Sequence, residues 1–148
     1  MARPESKGRE FEDRVRELLI SNGYHITEKQ MEFPNPLGGN GKRIQRVDVL
    51  ILEEQNFLVV SLKEQDSVGT ANEKIPNEIC RLLYLKDSSP LFGGRRLKEI
   101  YLVWRGAKLK GMFESFARGD YTPYIPRCGE IRKIEFEEFK KLVLEKKL

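Results

Sequence analysis

Arg46-Val47-Asp48-Val49-Leu50-Ile51-Leu52, followed by Glu53-Glu54-Gln55-Asn56 and then Phe57-Leu58-Val59-Val60-Ser61-Leu62-Lys63-Glu64-Gln65, is the stretch that decides the fold. Two apolar runs rich in β-branched residues, Val47–Leu52 and Phe57–Leu62, are joined by four polar residues. That pattern predicts a hairpin of two largely buried strands. Side chains alternate along a strand, so Ser61, Lys63 and Gln65 project the same way. Asp48 opens the neighbouring strand and faces the same space. A carboxylate, a lysine and an amide are therefore expected to converge at the end of an otherwise apolar hairpin. An unpaired charge there is expensive, so these groups must pair, bind metal or reach water.

Working outward, Phe11, Val15, Leu18 and Leu19 lie at helical spacing, predicting a helix over Arg9–Ser21 that Asn22-Gly23 ends. Tyr24–Phe33 reads as a strand. Pro34 to Gly41 is too rich in proline and glycine for regular structure. Beyond the hairpin, Ile75, Ile79, Leu82 and Leu83 mark a second helix over Asn72–Lys86, with Pro76 expected in its first turn. A strand over Glu99–Trp104 follows the Gly93-Gly94 turn. A short helix near Gly111–Ala117 and a terminal helix from Glu135 complete the order. Helix, three strands, helix, strand, then helices predicts an α+β sandwich, a mixed sheet flanked by helices.

The 148 residues suit one domain, 1–148, and an apolar fraction of 39% against 34% charged describes a water-exposed globular surface. No apolar run approaches the ~20 residues of a membrane span, and the N-terminal residues lack the apolar core of a secretory signal. Cys80 and Cys128 match no metal-binding spacing, which favours reduced thiols and a cytoplasmic location. The single histidine, His25, gives no support to histidine-based catalysis. Gly38 to Arg43 lacks phosphate-loop spacing. Trp104, Phe113, Phe116, Tyr121 and Tyr124 read as packing residues. Net charge is +4, and the basic residues gather in three expected loops: Lys42, Arg43 and Arg46; Arg95, Arg96 and Lys98; Arg105, Lys108 and Lys110. Such loops suit either a phosphate backbone or plain solvation.

An acid opening one strand and a lysine on the next, here Asp48 and Lys63, resembles the PD-(D/E)XK, restriction-endonuclease-like nuclease superfamily. Gln65 and the following Gly69-Thr70-Ala71-Asn72-Glu73-Lys74-Ile75-Pro76 resemble the continuation found in some members. Glu12 matches a first-helix glutamate that many carry. The resemblance spans roughly Gly8–Lys86 and implies an αβββαβ core. It also implies a Mg²⁺-dependent endodeoxyribonuclease of restriction or homing type, in which Mn²⁺ would substitute. Double-stranded DNA would be the partner, met by Lys42, Arg43, Arg46, Lys74, Arg95 and Arg96, with two sites brought together in a homodimer or homotetramer. Asp48 would hold the metal, Lys63 would stabilise charge or orient water, and Gln65 would position substrate.

Two departures stand out. Val47 replaces the proline, and Ser61 stands where the superfamily has its second acid. Three explanations of Ser61 are open. A carboxylate from elsewhere (Glu73, Glu78 or Glu12) supplies the ligand, as in a restriction-enzyme subgroup with S-x-K; or the domain binds DNA without cutting it; or the residue is a deliberate inactivating change. A repair or junction-resolving nuclease shares the chemistry and is a further alternative.

Overall fold

The hairpin lies at the centre of the computed structural model, which describes residues 4–38, 43–65 and 71–148, without the side chains of 4–8 and 71–73. In chain order the elements are helix α1 (Pro4–Ser21) and strands β1 (His25–Ile26), β2 (Met31–Pro34), β3 (Ile44–Val47), β4 (Val49–Leu52) and β5 (Asn56–Glu64). Helix α2 (Ala71–Ser88), strands β6 (Leu91–Phe92) and β7 (Arg95–Arg105), helix α3 (Ala107–Arg118), strand β8 (Arg132–Glu135) and helix α4 (Phe136–Leu144) follow.

β4 and β5 pair antiparallel, with Val49 opposite Val60. β7 lies parallel to β5, Lys63 level with Trp104, and β8 lies parallel beyond β7. The main sheet runs β1-β4-β5-β7-β6, with β8 also against β7. Parallel neighbours need long crossovers, and α2 and α3 supply them.

Alternation then divides the core in two. Leu50, Phe57, Val59, Ile100 and Leu102 pack with Ile75, Ile79 and Leu82 of α2 and with Leu109, Phe113 and Phe116 of α3. On the other face, Val49, Ile51, Leu58, Val60, Tyr101 and Val103 meet Phe11, Val15 and Leu19 of α1 and Phe136, Phe139 and Val143 of α4. The protein is thus an α/β sandwich, a mixed sheet between two helical layers. Both sheet faces are covered, so the central strands read as continuous apolar runs. Each buried core side chain of α1 contributes about 1.5–3 kcal/mol.

Several elements depart from expectation. Tyr24–Phe33 is two short strands, because Thr27 turns the chain: its N–H donates to Leu50 O at 3.1 Å and its hydroxyl to Lys29 O at 3.0 Å. Val47–Leu52 is broken at Asp48, where the chain leaves its pairing with β2 and joins β5. Helix α2 begins at Ala71, so Pro76 lies inside it rather than in its first turn. α3 is longer than expected, and β8 was not anticipated. The second and third basic groups are not loops. Arg95, Arg96, Lys98 and Arg105 belong to β7, and Lys108 and Lys110 to α3. Trp104 stacks on Phe113 at 4.9 Å and Phe116 on Tyr121 at 4.0 Å, whereas Tyr124 is 82% exposed and packs little. Among the described residues, no helix is long and apolar enough to cross a membrane.

Candidate active site

Asp48 occupies the break between β3 and β4, and its backbone and carboxylate are both held. Its carbonyl accepts a 2.5 Å hydrogen bond from Arg16 of α1, and its Oδ2 accepts the Leu62 N–H of β5 at 2.7 Å. Burial pushes the Asp48 carboxyl up to about 6. The Leu62 N–H and Lys63 work against that rise, while the charges of Glu78 and Glu12 add to it.

The opposite wall comes from β5 and α2. Ser61 and Lys63 project toward α2, as alternation requires. Ser61 Oγ donates to Glu78 Oε1 at 3.1 Å, and Lys63 Nζ faces Glu78 Oε2 at 3.7 Å. The Glu78 side chain is 8% exposed, and its charge is balanced by two cations. Arg81, one helical turn on, reaches Oε2 at 2.9 Å. Gln45 of β3 donates to Oε1 at 3.2 Å, and Asn35 donates in turn to Gln45 at 2.9 Å and to the Arg81 carbonyl at 3.0 Å. This buried chain of amides fixes the carboxylate against the sheet.

Glu12 approaches from α1. Arg16 binds it at 3.0 Å, and Gln30 donates to Glu12 Oε1 at 2.6 Å and to Asp48 Oδ1 at 3.4 Å. Arg16 also donates to the Thr27 carbonyl at 2.6 Å, which ties α1, the Thr27 turn and Asp48 together.

The structure therefore brings Asp48, Ser61, Lys63, Glu78 and Glu12 to one end of the β4–β5 hairpin. Gln65 lies just past β5, half-buried, its N–H bonded to the Arg105 carbonyl at 3.0 Å. The Glu73 side chain and Lys42 lie outside the described residues. Lys74 is exposed on α2, and Arg43 is exposed at φ 54°. Arg46 is exposed and pairs with Glu32 at 3.2 Å. Arg95 and Arg96 are not brought to the site. They start β7, level with Asn56 at the far end of β5 from Lys63, roughly 20 Å away along the strand. Arg95 instead donates to the Glu53 carbonyl at 2.6 Å.

Five contributors escaped the sequence reading. Three had visible signals: Gln45 is a polar residue at an inward strand position, Arg16 stands four residues after Glu12, and Arg81 stands three after Glu78. Asn35 and Gln30, both outside helices and strands, carried none.

Among the described residues no three His, Cys, Asp or Glu side chains are close enough to enclose a metal by themselves. Two carboxylates at one end of the hairpin are a different donor set. Mg²⁺ keeps several waters and takes one or two protein carboxylates. Asp48 is a buried acid whose ionised form is disfavoured first by desolvation and further by the Glu78 and Glu12 charges, a cost that a bound cation would offset. Asp48 and Glu78 fit such an ion.

No protein-family model matches the chain, and no curated protein matches it. A solved crystal structure described as a protein of unknown function, AF1548, is similar at a TM-score of 0.46 and 11% identity, over 92% of this chain. This chain spans 64% of the length of that one.

Proposed function

We propose that this protein is a divalent-cation-dependent endodeoxyribonuclease of the PD-(D/E)XK type in which Glu78 stands in for the acid missing at Ser61. The observation that carries the reading is the Ser61–Glu78 hydrogen bond. It brings a carboxylate from α2 to the strand position where the superfamily pattern has its second acid, beside Lys63 and near enough for its charge to act on Asp48. Of the three explanations of Ser61, this supports the relocated acid.

Asp48 and Glu78 would hold Mg²⁺ or Mn²⁺, which supplies Lewis-acid polarisation of a phosphodiester and a more acidic bound water. The chain's own residues do the rest. Leu62 N–H and Gln30 aim the Asp48 carboxylate, while Ser61 and Gln45 aim that of Glu78. Lys63, held by Glu78 and 25% exposed, presents an ammonium to the attacking water or to the charge that develops on the phosphate oxygens. Glu12, through Gln30 and Arg16, keeps Asp48 in position. Gln65 would position the substrate at the mouth of the site.

Double-stranded DNA is the proposed substrate, met by the exposed Arg43, Arg46 and Lys74 and by Lys42. Arg95 and Arg96 are left out of this surface. A homodimer or homotetramer would bring two sites to two strands, and the free thiols Cys80 and Cys128 suit a cytoplasmic setting. Incubation of a large mixed DNA with Mg²⁺ or Mn²⁺, comparing wild type with Asp48→Ala, tests the reading. Cleavage by the wild type that disappears in the variant supports it. Salt-sensitive DNA binding with no cleavage in either metal replaces it with a DNA-binding module of the same fold.

A further inference from the structure

Arg81 is tied to the site yet has no task in the chemistry above. Its guanidinium reaches Glu78 Oε2, the same oxygen that Lys63 faces, so two cations share one carboxylate oxygen. Its Nε–H is buried and has no hydrogen-bond partner among the described residues. Buried donors in native proteins are nearly always satisfied, and each exception asks for an explanation. The side chain is nonetheless 18% exposed, comparable with Lys63 at 25%. The pair is therefore open to a molecule docking at this edge.

A guanidinium carries five donors in a planar fork that matches two oxygens of a phosphate. In the cation-free chain, Glu78 needs Arg81 and Lys63 to balance its buried charge. With a divalent cation bound by Asp48 and Glu78, the carboxylate no longer needs that guanidinium. Arg81 is then free to turn its fork outward.

We propose that Arg81 is a phosphate-binding residue held in reserve by Glu78, and that it engages a substrate phosphodiester once a divalent cation occupies the site. This rests on the nuclease reading and adds a second substrate contact beside Lys63.

Duplex DNA binding, followed by anisotropy of a short labelled duplex against KCl concentration, tests it without measuring cleavage. Wild type, Arg81→Gln, Arg81→Lys and Glu78→Gln are compared in Ca²⁺, a hard cation that takes the same oxygen ligands, and in EDTA. Each phosphate contact adds about 0.9 to the slope of log affinity against log salt. In Ca²⁺, Arg81→Gln is expected to lose about that much slope, and Arg81→Lys to retain it. In EDTA, wild type and Arg81→Gln should share one slope, since Arg81 is occupied. Glu78→Gln, which releases Arg81 and Lys63 together without a cation, should gain about 0.9 or more in EDTA, and adding Arg81→Gln to it should remove about 0.9 of that gain.

Equal slopes for wild type and Arg81→Gln in Ca²⁺ would overturn the proposal while leaving the nuclease reading intact. An equal loss in both buffers would overturn the reserve role. A wild-type chain with no salt-sensitive binding in either buffer overturns both readings together. Circular dichroism checks that the variants fold. If Arg81→Gln does not, an unchanged EDTA slope in Glu78→Gln is sufficient to reject the proposal.

Discussion

Ser61 on β5 donates a 3.1 Å hydrogen bond to Glu78, seventeen residues later on α2. That bond joins the central hairpin to the crossover helix at the one place where the strand lacks an acid. It also makes the hydroxyl a support for the carboxylate. If Ser61 only supports, its loss should be mild. Ser61→Ala leaves Gln45 and Arg81 on Glu78. It should cost about 1 kcal/mol of stability and reduce cleavage about tenfold or less. Urea melts and initial rates check both, and complete inactivation would make the hydroxyl itself a reacting group.

Asp48 carries a pH dependence that can be read in stability. Burial pushes its carboxyl up from an ordinary 3.8 to about 6 in the folded chain, so the folded chain holds the proton longer. Asp48's contribution is most favourable below pH 3.8, declines as pH rises to about 6, and stays at its lowest above that. Asp48→Asn keeps an acceptor for the Leu62 N–H and removes the decline. The variant should gain on wild type across that window, by up to roughly 3 kcal/mol at neutral pH. Denaturant midpoints at several pH values measure the difference, and parallel curves would contradict it.

Divalent cations should reverse the same penalty. A ligand that binds only the folded chain stabilises it by about 2.7 kcal/mol at a hundred times its Kd, which raises the melting temperature by several degrees in a chain of this size. Mg²⁺ or Mn²⁺ should therefore raise the wild-type Tm, and Asp48→Asn should lose that rise. An equal rise in both chains would place the cation elsewhere.

Gly106 sets the end of the β5–β7 pair. It adopts φ 117°, and a Cβ there would overlap the Gln65 carbonyl. Gly106→Ala combines that clash with an unfavourable backbone and should destabilise the fold by about 2 kcal/mol or more. Thermal melting measures this, and a neutral substitution would mean that the Gln65 segment gives way freely.

Much of this was legible in the sequence because the signals were local. Alternation along Phe57–Leu62 placed Ser61 and Lys63 on one face, and the helical spacing of Phe11, Val15 and Leu19 gave the buried stripe of α1. The choice between Glu73 and Glu78 was also partly written there. Ile75, Glu78, Ile79 and Leu82 stand at i, i+3, i+4 and i+7, so Glu78 interrupts an apolar stripe and must find a partner inside. The break at Asp48 was not legible, since it depends on Arg16 reaching across from α1 to take the Asp48 carbonyl. Nor was the placement of Arg95 and Arg96. Glycines before them suggested a loop, and only the pairing of β7 with β5 puts them at the far end of the sheet.

The most direct test of the relocated acid is to move it back. Mg²⁺-dependent DNA cleavage is measured for the wild type, Glu78→Ala, and the double variant Ser61→Glu with Glu78→Ala. Removing the carboxylate should slow cleavage by on the order of a hundredfold or more, and restoring it from β5 should recover at least about a tenth of the lost rate. Glu78→Ala cleaving like the wild type, or a folded double variant no better than Glu78→Ala, would contradict the assignment of Glu78 as the missing acid.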